Sequence, residues 1–243
     1  MKRYNYTITE LLTVIAIIAI LAGIAIPAVG YARRRARTTA CISNQGQTMK
    51  TILNSMSDTN NRLYSGSSFP DTTLNTNGTV TSNAGWTVFL AEKGYIKSME
   101  ALRCPDIRSY TSDEKVISAD SVKEAYGVVV ASGNDGKFDF RGTRLFTTSD
   151  KTQVAPSVLG IGGCATSNGK EVAASINFAS ASGGRATGVH HNNMTNLFFY
   201  DGHAESFDKN NFDTNKYYPV QGTTNATTKA EAFASGSWLD AEK

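Results

Sequence analysis

Cysteine, proline and histidine are all scarce in this chain. Its 243 residues include only three cysteines, five prolines and three histidines. No two cysteines form a CxxC pair, so the spacing gives no support to a zinc or redox motif. No GxxxxGK or GxGxxG loop is present. Gly160-Ile161-Gly162 fails the second pattern, because Ala165 stands where the third glycine is needed. No internal repeat is detectable. Charge is modest at 19%, and the net value of +3 is unevenly placed. Residues 1–37 carry six cations against Glu10, so the rest of the chain is at −2. That balance excludes a nucleic-acid surface outside the cluster Arg33, Arg34, Arg35 and Arg37. No serine or cysteine nucleophile has an evident paired base, so an enzyme is not expected.

One long apolar run is present. Leu11–Ala32 holds 22 residues without a formal charge. At about 1.5 Å per residue it covers about 33 Å, enough for a bilayer core of about 30 Å. A cleaved secretory signal would be shorter and would not start on an acid. The other readings are a plain anchor, or an anchor processed on its short side. Glu10 sits at the entrance, and an acid at the edge of hydrocarbon is costly unless paired. Pro27 should bend the helix or loosen its hydrogen bonds. The four arginines beyond the run suit lipid headgroups.

The helical pattern continues. Met49, Ile52, Leu53 and Met56 follow i, i+3, i+4, i+7 spacing, which predicts one helix from about Thr7 to about Asp58. About 200 residues remain after the anchor, enough for one domain with its own core. Within them, Trp86–Lys93 reads as a short helix stopped by Gly94. Tyr126–Ala131, Lys137–Phe140, Leu145–Thr148 and Ser157–Cys164 read as strands. Asn196–Tyr200 and His203–Phe207 flank Asp201-Gly202, a hairpin signal that places Tyr200 opposite His203 with positive φ at both turn residues. The expected class is α+β: a long N-terminal helix packed on a strand-rich antiparallel head.

The segment Tyr6-Thr7-Ile8-Thr9-Glu10-Leu11-Leu12, with the apolar run after it, resembles the leader and first helix of type IV pilins and type II secretion pseudopilins. In that family a prepilin peptidase cuts the leader and methylates the new amine. Tyr6 would then be the first mature residue, Glu10 the fifth and Pro27 the twenty-second, each in the family's register. Asn5 stands before the cut where the family carries glycine, and Tyr6 replaces phenylalanine. The stretch from His191 through nine residues to Asp201-Gly202 resembles the H-X9-DG signature of a large group of pilin-like proteins. Cys41-Ile42-Ser43-Asn44 with Gln47, and Leu102-Arg103-Cys104-Pro105, are similar to that group as well.

The resemblance implies a leader at 1–5, a membrane and filament-core helix half at 6–37, and a pilin-like head at 38–243. It implies self-assembly with other pilin-like subunits, starting from the inner membrane. The head would be extracytoplasmic, in a periplasmic or cell-surface filament after assembly. That orientation overrides the four arginines, which by the positive-inside rule favour the opposite one. The alternative is a membrane-tethered domain that binds a ligand or metal through His191, His203 and Asp201 and does not polymerise.

Within the head, Asp201 is expected to cap the turn, and His191 to bond nearby backbone or Asp201. Three disulfide pairings are open; the resemblance favours Cys41–Cys104, leaving Cys164 free. Asp208, Asn210 and Asp213 form an oxygen-rich stretch that could take calcium, without the spacing of an EF-hand. Protein recovered from membranes is expected to begin at Tyr6, lowering the formal charge from +3 to +1 through loss of Lys2 and Arg3. N-terminal mass measurement checks this. Intact Met1 on every chain, with the peptidase present, would rule the processing out.

Overall fold

The computed structural model describes residues 7–59, 62–64, 85–107, 110–118, 120–129, 137–139, 156–167, 175–176, 185–188, 190–191 and 194–208. Asn5, Tyr6, Asn210 and Asp213 lie outside them, as do the expected strand at 145–148 and most of the proposed calcium stretch. The chain divides into two compact units, Met1–Arg37 and Thr38–Lys243.

The first unit consists of the opening half of helix α1 (Ile8–Asp58). Thr7 and Glu10 start it with a capping box. The Thr7 backbone N–H and hydroxyl both donate to Glu10 Oε2, at 2.9 and 2.8 Å, while the Glu10 N–H reaches Thr7 Oγ1 at 3.3 Å. Two donors that would otherwise point out of the helix end are satisfied by one another's side chains. Beyond the cap, Leu11, Leu12, Ile15, Ile18, Leu21 and Ile24 are all exposed, on every side of the helix. A helix apolar all round has to be covered by lipid or protein. By length and composition α1 can cross a membrane. The helix continues through Pro27 without a break in its assignment.

In the second unit, α1 buries one face: Cys41, Gln45, Thr48, Met49, Ile52, Ser55 and Met56. This i, i+4, i+7, i+8 stripe is the amphipathic counterpart of the uniform first half. Met49, Ile52 and Met56 are almost fully covered, each worth about 1.5–3 kcal/mol of transfer free energy. Helix α2 (Gly85–Glu92) adds Trp86, Val88 and Leu90 to the same core. It ends in a Schellman motif. Gly94 has φ 75°, its N–H reaches Ala91 O at 3.0 Å, and the Tyr95 N–H reaches Leu90 O at 2.8 Å.

The main sheet has five strands: β2 (Gly127–Val129), β4 (Gly160–Gly163), β6 (Ser175–Ile176), β8 (Met194–Phe199) and β9 (Ala204–Asp208). Their order is β6-β2-β4-β8-β9. The four strands from β2 to β9 pair antiparallel, and β6 joins β2 in parallel. Among the described residues there are also two small antiparallel pairs: β1 (Arg62–Tyr64) with β3 (Lys137–Asp139), and β5 (Ala165–Ser167) with β7 (Arg185–Thr187). The class is therefore α+β, with a long N-terminal helix and a small, largely antiparallel sheet.

The β8–β9 hairpin corrects the sequence expectation by one residue. Phe198 pairs with Ala204, and the Phe199 N–H bonds His203 O at 2.9 Å, leaving a three-residue loop of Tyr200, Asp201 and Gly202. Tyr200 is thus not opposite His203. Such a loop is a turn followed by one left-handed residue, and Gly202 supplies it with φ 95°. The expected strand at 157–164 is also shorter, because Pro156–Val158 forms a 3₁₀ turn.

Strand β4 carries glycine at 162 and 163, where its neighbours leave no room. A Cβ on Gly162 would lie 2.2 Å from Gly127 O, and one on Gly163 would lie 2.3 Å from Asn196 O. Both obstacles are backbone and cannot rotate away. Gly163→Ala is expected to destabilise the protein by about 1–3 kcal/mol through overpacking. Gly202→Val should cost more than Asp201→Asn, since a β-branched residue is poorly tolerated at positive φ. Thermal melts of the full chain in detergent check both.

Candidate functional site

Four side chains from four separate segments meet in the core of the head. Cys41 comes from α1, Cys104 from the loop after the 3₁₀ turn Glu100–Leu102, Cys164 from the residue after β4, and His191 from the turn into β8. All four are buried, and their ligand-capable atoms lie within 4.8 Å of one another. Cys41 Sγ is 3.5 Å from Cys164 Sγ. His191 Nε2 is 3.3 Å from Cys104 Sγ and 3.8 Å from Cys164 Sγ.

Each member is held by its own local structure. Cys41 lies one helical turn before Gln45, so both side chains share the buried face. The Gln45 Nε2 group donates to Asn196 O at 3.0 Å and points toward Cys164 Sγ at 3.4 Å and Cys41 Sγ at 3.6 Å. Cys104 is fixed through Tyr110, whose hydroxyl accepts from the Cys104 N–H at 2.8 Å and donates to Cys104 O at 3.2 Å. The Cys164 N–H donates to Asn196 O, and Cys164 O accepts from the Gly188 N–H. His191 and Met194 exchange backbone hydrogen bonds that close the turn before β8.

The two cysteine-containing segments also bind each other. Asn44 Nδ2 donates to Arg103 O at 3.3 Å, and the Thr48 hydroxyl donates to Ala101 O at 2.9 Å. The Tyr126 hydroxyl donates to Arg103 O at 2.8 Å and lies 3.5 Å from Cys41 Sγ. Arg103, 4% exposed, pairs with Glu124 at 3.0 Å and donates to the Ser112 carbonyl and hydroxyl. Its guanidinium also lies 4.7 Å from the centre of the Tyr110 ring.

The electrostatics are those of a dry thiol group. Burial pushes the Cys104 and Cys164 thiols well above the ordinary thiol range. Burial is the largest single influence on Cys41 as well, but hydrogen bonds from Cys104, Cys164 and His191, with the charge of the His191 ring, hold it well below that range. His191 Nδ1 lies 3.3 Å from Asp106 Oδ2, at ion-pair distance but not aligned as a hydrogen bond. Asp106 thus faces the outer nitrogen while Nε2 faces the sulfurs. Three sulfurs and one imidazole nitrogen are donors for a thiophilic divalent metal, and with no general base beside a reachable nucleophile they are poorly suited to hydrolysis.

Several expectations are corrected here. Cys41 and Cys104 do not form a disulfide; all three cysteines are free and buried. The absence of local CxxC spacing did not exclude a sulfur cluster, because the fold gathers residues 123, 87 and 27 positions apart. His191 faces Cys104, Cys164 and Asp106, while Asp201 Oδ1 instead accepts from the His203 backbone N–H and ring. His203 stacks on Phe199 at 4.3 Å between ring centres. His191, His203 and Asp201 therefore do not form one site. Asp208 closes β9, and the other calcium candidates lie outside the described residues. Sequence reading missed Cys164, Gln45, Asp106 and Tyr126 as members of this centre, and no local spacing signals them.

Compared with known proteins, the chain matches no protein-family model, no curated protein and no solved structure.

Glu124 gives the site a pH signature. Burial tends to raise its carboxyl, but hydrogen bonds from the Ser112 and Thr111 side chains and N–H groups outweigh this and hold it below the usual carboxylate range. A group depressed on folding stabilises the fold above its unfolded value, and that contribution is lost as pH falls through the folded value. Glu124→Gln is expected to lower stability at neutral pH and to flatten its decline in acid. Urea denaturation between neutral and acidic pH measures both.

Proposed function

We propose that the chain is a structural subunit of a pilin-like or pseudopilin filament, assembled from an inner-membrane precursor through α1. The observation that carries this reading is the change of character along that helix. Its first half is apolar on all sides and exposed; its second half buries one stripe in an α+β head. A subunit that passes from a bilayer into a filament core needs the first property, because both surroundings are apolar. It needs the second to carry a folded domain on the same helix. The resemblance of Tyr6–Leu12 to a prepilin leader and of His191–Gly202 to the H-X9-DG signature supports the same reading. So does the position of Pro27.

In this mechanism the peptidase frees the Tyr6 amine, and Glu10 of one subunit pairs with the amine of a neighbour. An acid left without that partner in an apolar core is strongly penalised, so the pair sets the axial register. The capping box adds a competing role. Glu10 already accepts two hydrogen bonds from Thr7, so part of its importance lies in starting its own helix.

Glutamine separates the two roles, since it serves in a capping box but carries no charge. Glu10→Gln and Glu10→Ala are both expected to leave the melting temperature of the head unchanged and to abolish co-assembly with wild-type subunits. Normal incorporation of Glu10→Gln, with loss only in Glu10→Ala, would reduce Glu10 to a cap. Normal incorporation of both would remove its role in assembly. The tethered reading draws on the buried cysteine–histidine group; a mature chain that stays monomeric in the membrane when all its pilin-like partners are expressed would favour it.

A further inference from the structure

We infer that Cys41, Cys104, Cys164 and His191 bind one divalent transition metal, zinc foremost, in a closed tetrahedral site that clasps α1 to the head. The inference does not depend on filament assembly. Zinc–sulfur bonds of about 2.3 Å and zinc–nitrogen bonds of about 2.0–2.1 Å place tetrahedral ligand atoms about 3.6–3.8 Å apart. The measured separations of 3.5, 3.3 and 3.8 Å surround that value, and every pair falls within 4.8 Å. Ligation would draw the remaining atoms in from at most 4.8 Å.

The surroundings fit the charge such a centre would carry. All three sulfurs coordinate as thiolates, so binding displaces whatever protons the group still carries, with no change of oxidation state. Three thiolates, a neutral imidazole and a divalent ion then leave a net charge of −1. Gln45 Nε2, 3.4 and 3.6 Å from two of the sulfurs, is a donor aimed at that charge, and the Tyr126 hydroxyl lies 3.5 Å from Cys41 Sγ. Asp106 Oδ2 stands 3.3 Å behind His191 Nδ1, and a small turn of the ring into hydrogen-bond alignment would give the carboxylate–histidine arrangement that orients a ligating imidazole. With all four residues buried, no coordination position opens to solvent, so the centre is structural.

Ligation also accounts for three buried thiols in a domain expected outside the cytoplasm, where free thiols oxidise. A Cys41–Cys164 disulfide is the competing outcome, their sulfurs being 3.5 Å apart. It would leave the Cys104 thiol beside His191 alone, 3.3 Å from Nε2.

The test uses the full chain in detergent, purified anaerobically without a metal-binding tag or chelator. Elemental analysis is expected to find one equivalent of zinc per chain, with all three thiols protected from alkylation until the protein is denatured. Replacing zinc by cobalt should give thiolate-to-metal charge transfer and the visible bands of tetrahedral cobalt. Cys104→Ser should lose the metal, His191→Cys should retain it, and Asp106→Asn should bind about 10–100-fold more weakly. If Cys104→Ser does not accumulate, the wild-type stoichiometry and cobalt spectrum decide alone. Metal-free wild type that gives no tetrahedral cobalt spectrum overturns the proposal, as does a Cys41–Cys164 disulfide as the native state. Neither result touches processing at Tyr6 or the assembly of Glu10 variants, so the two readings fail separately.

Discussion

An imidazole sealed from water among three sulfurs needs partners for its ring nitrogens, and any thiolate beside it needs donors. The head is arranged around that constraint. The Gln45 amide, the Tyr126 hydroxyl and the Asp106 carboxylate all approach the cluster from different elements. None of these groups is placed to serve the apolar core alone, since each brings a polar atom into it. The glycines of β4 belong to the same arrangement. They let β2 and β8 close on that strand, and the next residue is Cys164, carried to within reach of α1. Packing of the sheet and assembly of the sulfur group are thus one geometrical problem, solved by removing side chains where backbones must meet.

Helix α1 presents two different surfaces. Its first half has no polar side to give to water, and its second half has one buried face and one open one. The transition needs no change of backbone, only of side chains around Arg33–Arg37. The Thr7–Glu10 cap matters because the first turn of a helix entering hydrocarbon has backbone donors with no water to meet. A carboxylate there is less anomalous than its charge suggests, since it satisfies part of that demand.

The sequence was most legible where physics is local. The extent of α1 followed from an unbroken apolar run and a four-residue periodic stripe. The end of α2 followed from Gly94, and the hairpin from Asp201-Gly202. The error in hairpin register has a simple origin: the same dipeptide serves two- and three-residue loops, and only cross-strand pairing selects between them. The capping box was readable as Thr7-Ile8-Thr9-Glu10 before an apolar run, a signal overshadowed by the cost of the acid itself. The site was legible only in fragments. Cys41 with Asn44, and Arg103 with Cys104, stand out as short motifs, yet nothing along the chain says that they touch. Cys164 looked like a leftover thiol and His191 like part of a turn, because their meeting depends on sheet order and not on spacing.

The Arg103–Glu124 clamp has a consequence for the order in which the head is built. Its two ends are 21 residues apart, whereas Cys41 and Cys164 are separated by 123. Closing the shorter loop costs less chain entropy, and contacts between distant segments wait for loops that are harder to close. The clamp can therefore shape the Cys104 loop while the remainder of the head is still unpaired. Cys164 and His191 arrive only when β4 and β8 have found each other. Until that late step, thiols that end up sealed in the core remain open to oxidants and to adventitious metal. The time the chain spends partly folded is then the interval in which its sulfur chemistry is decided.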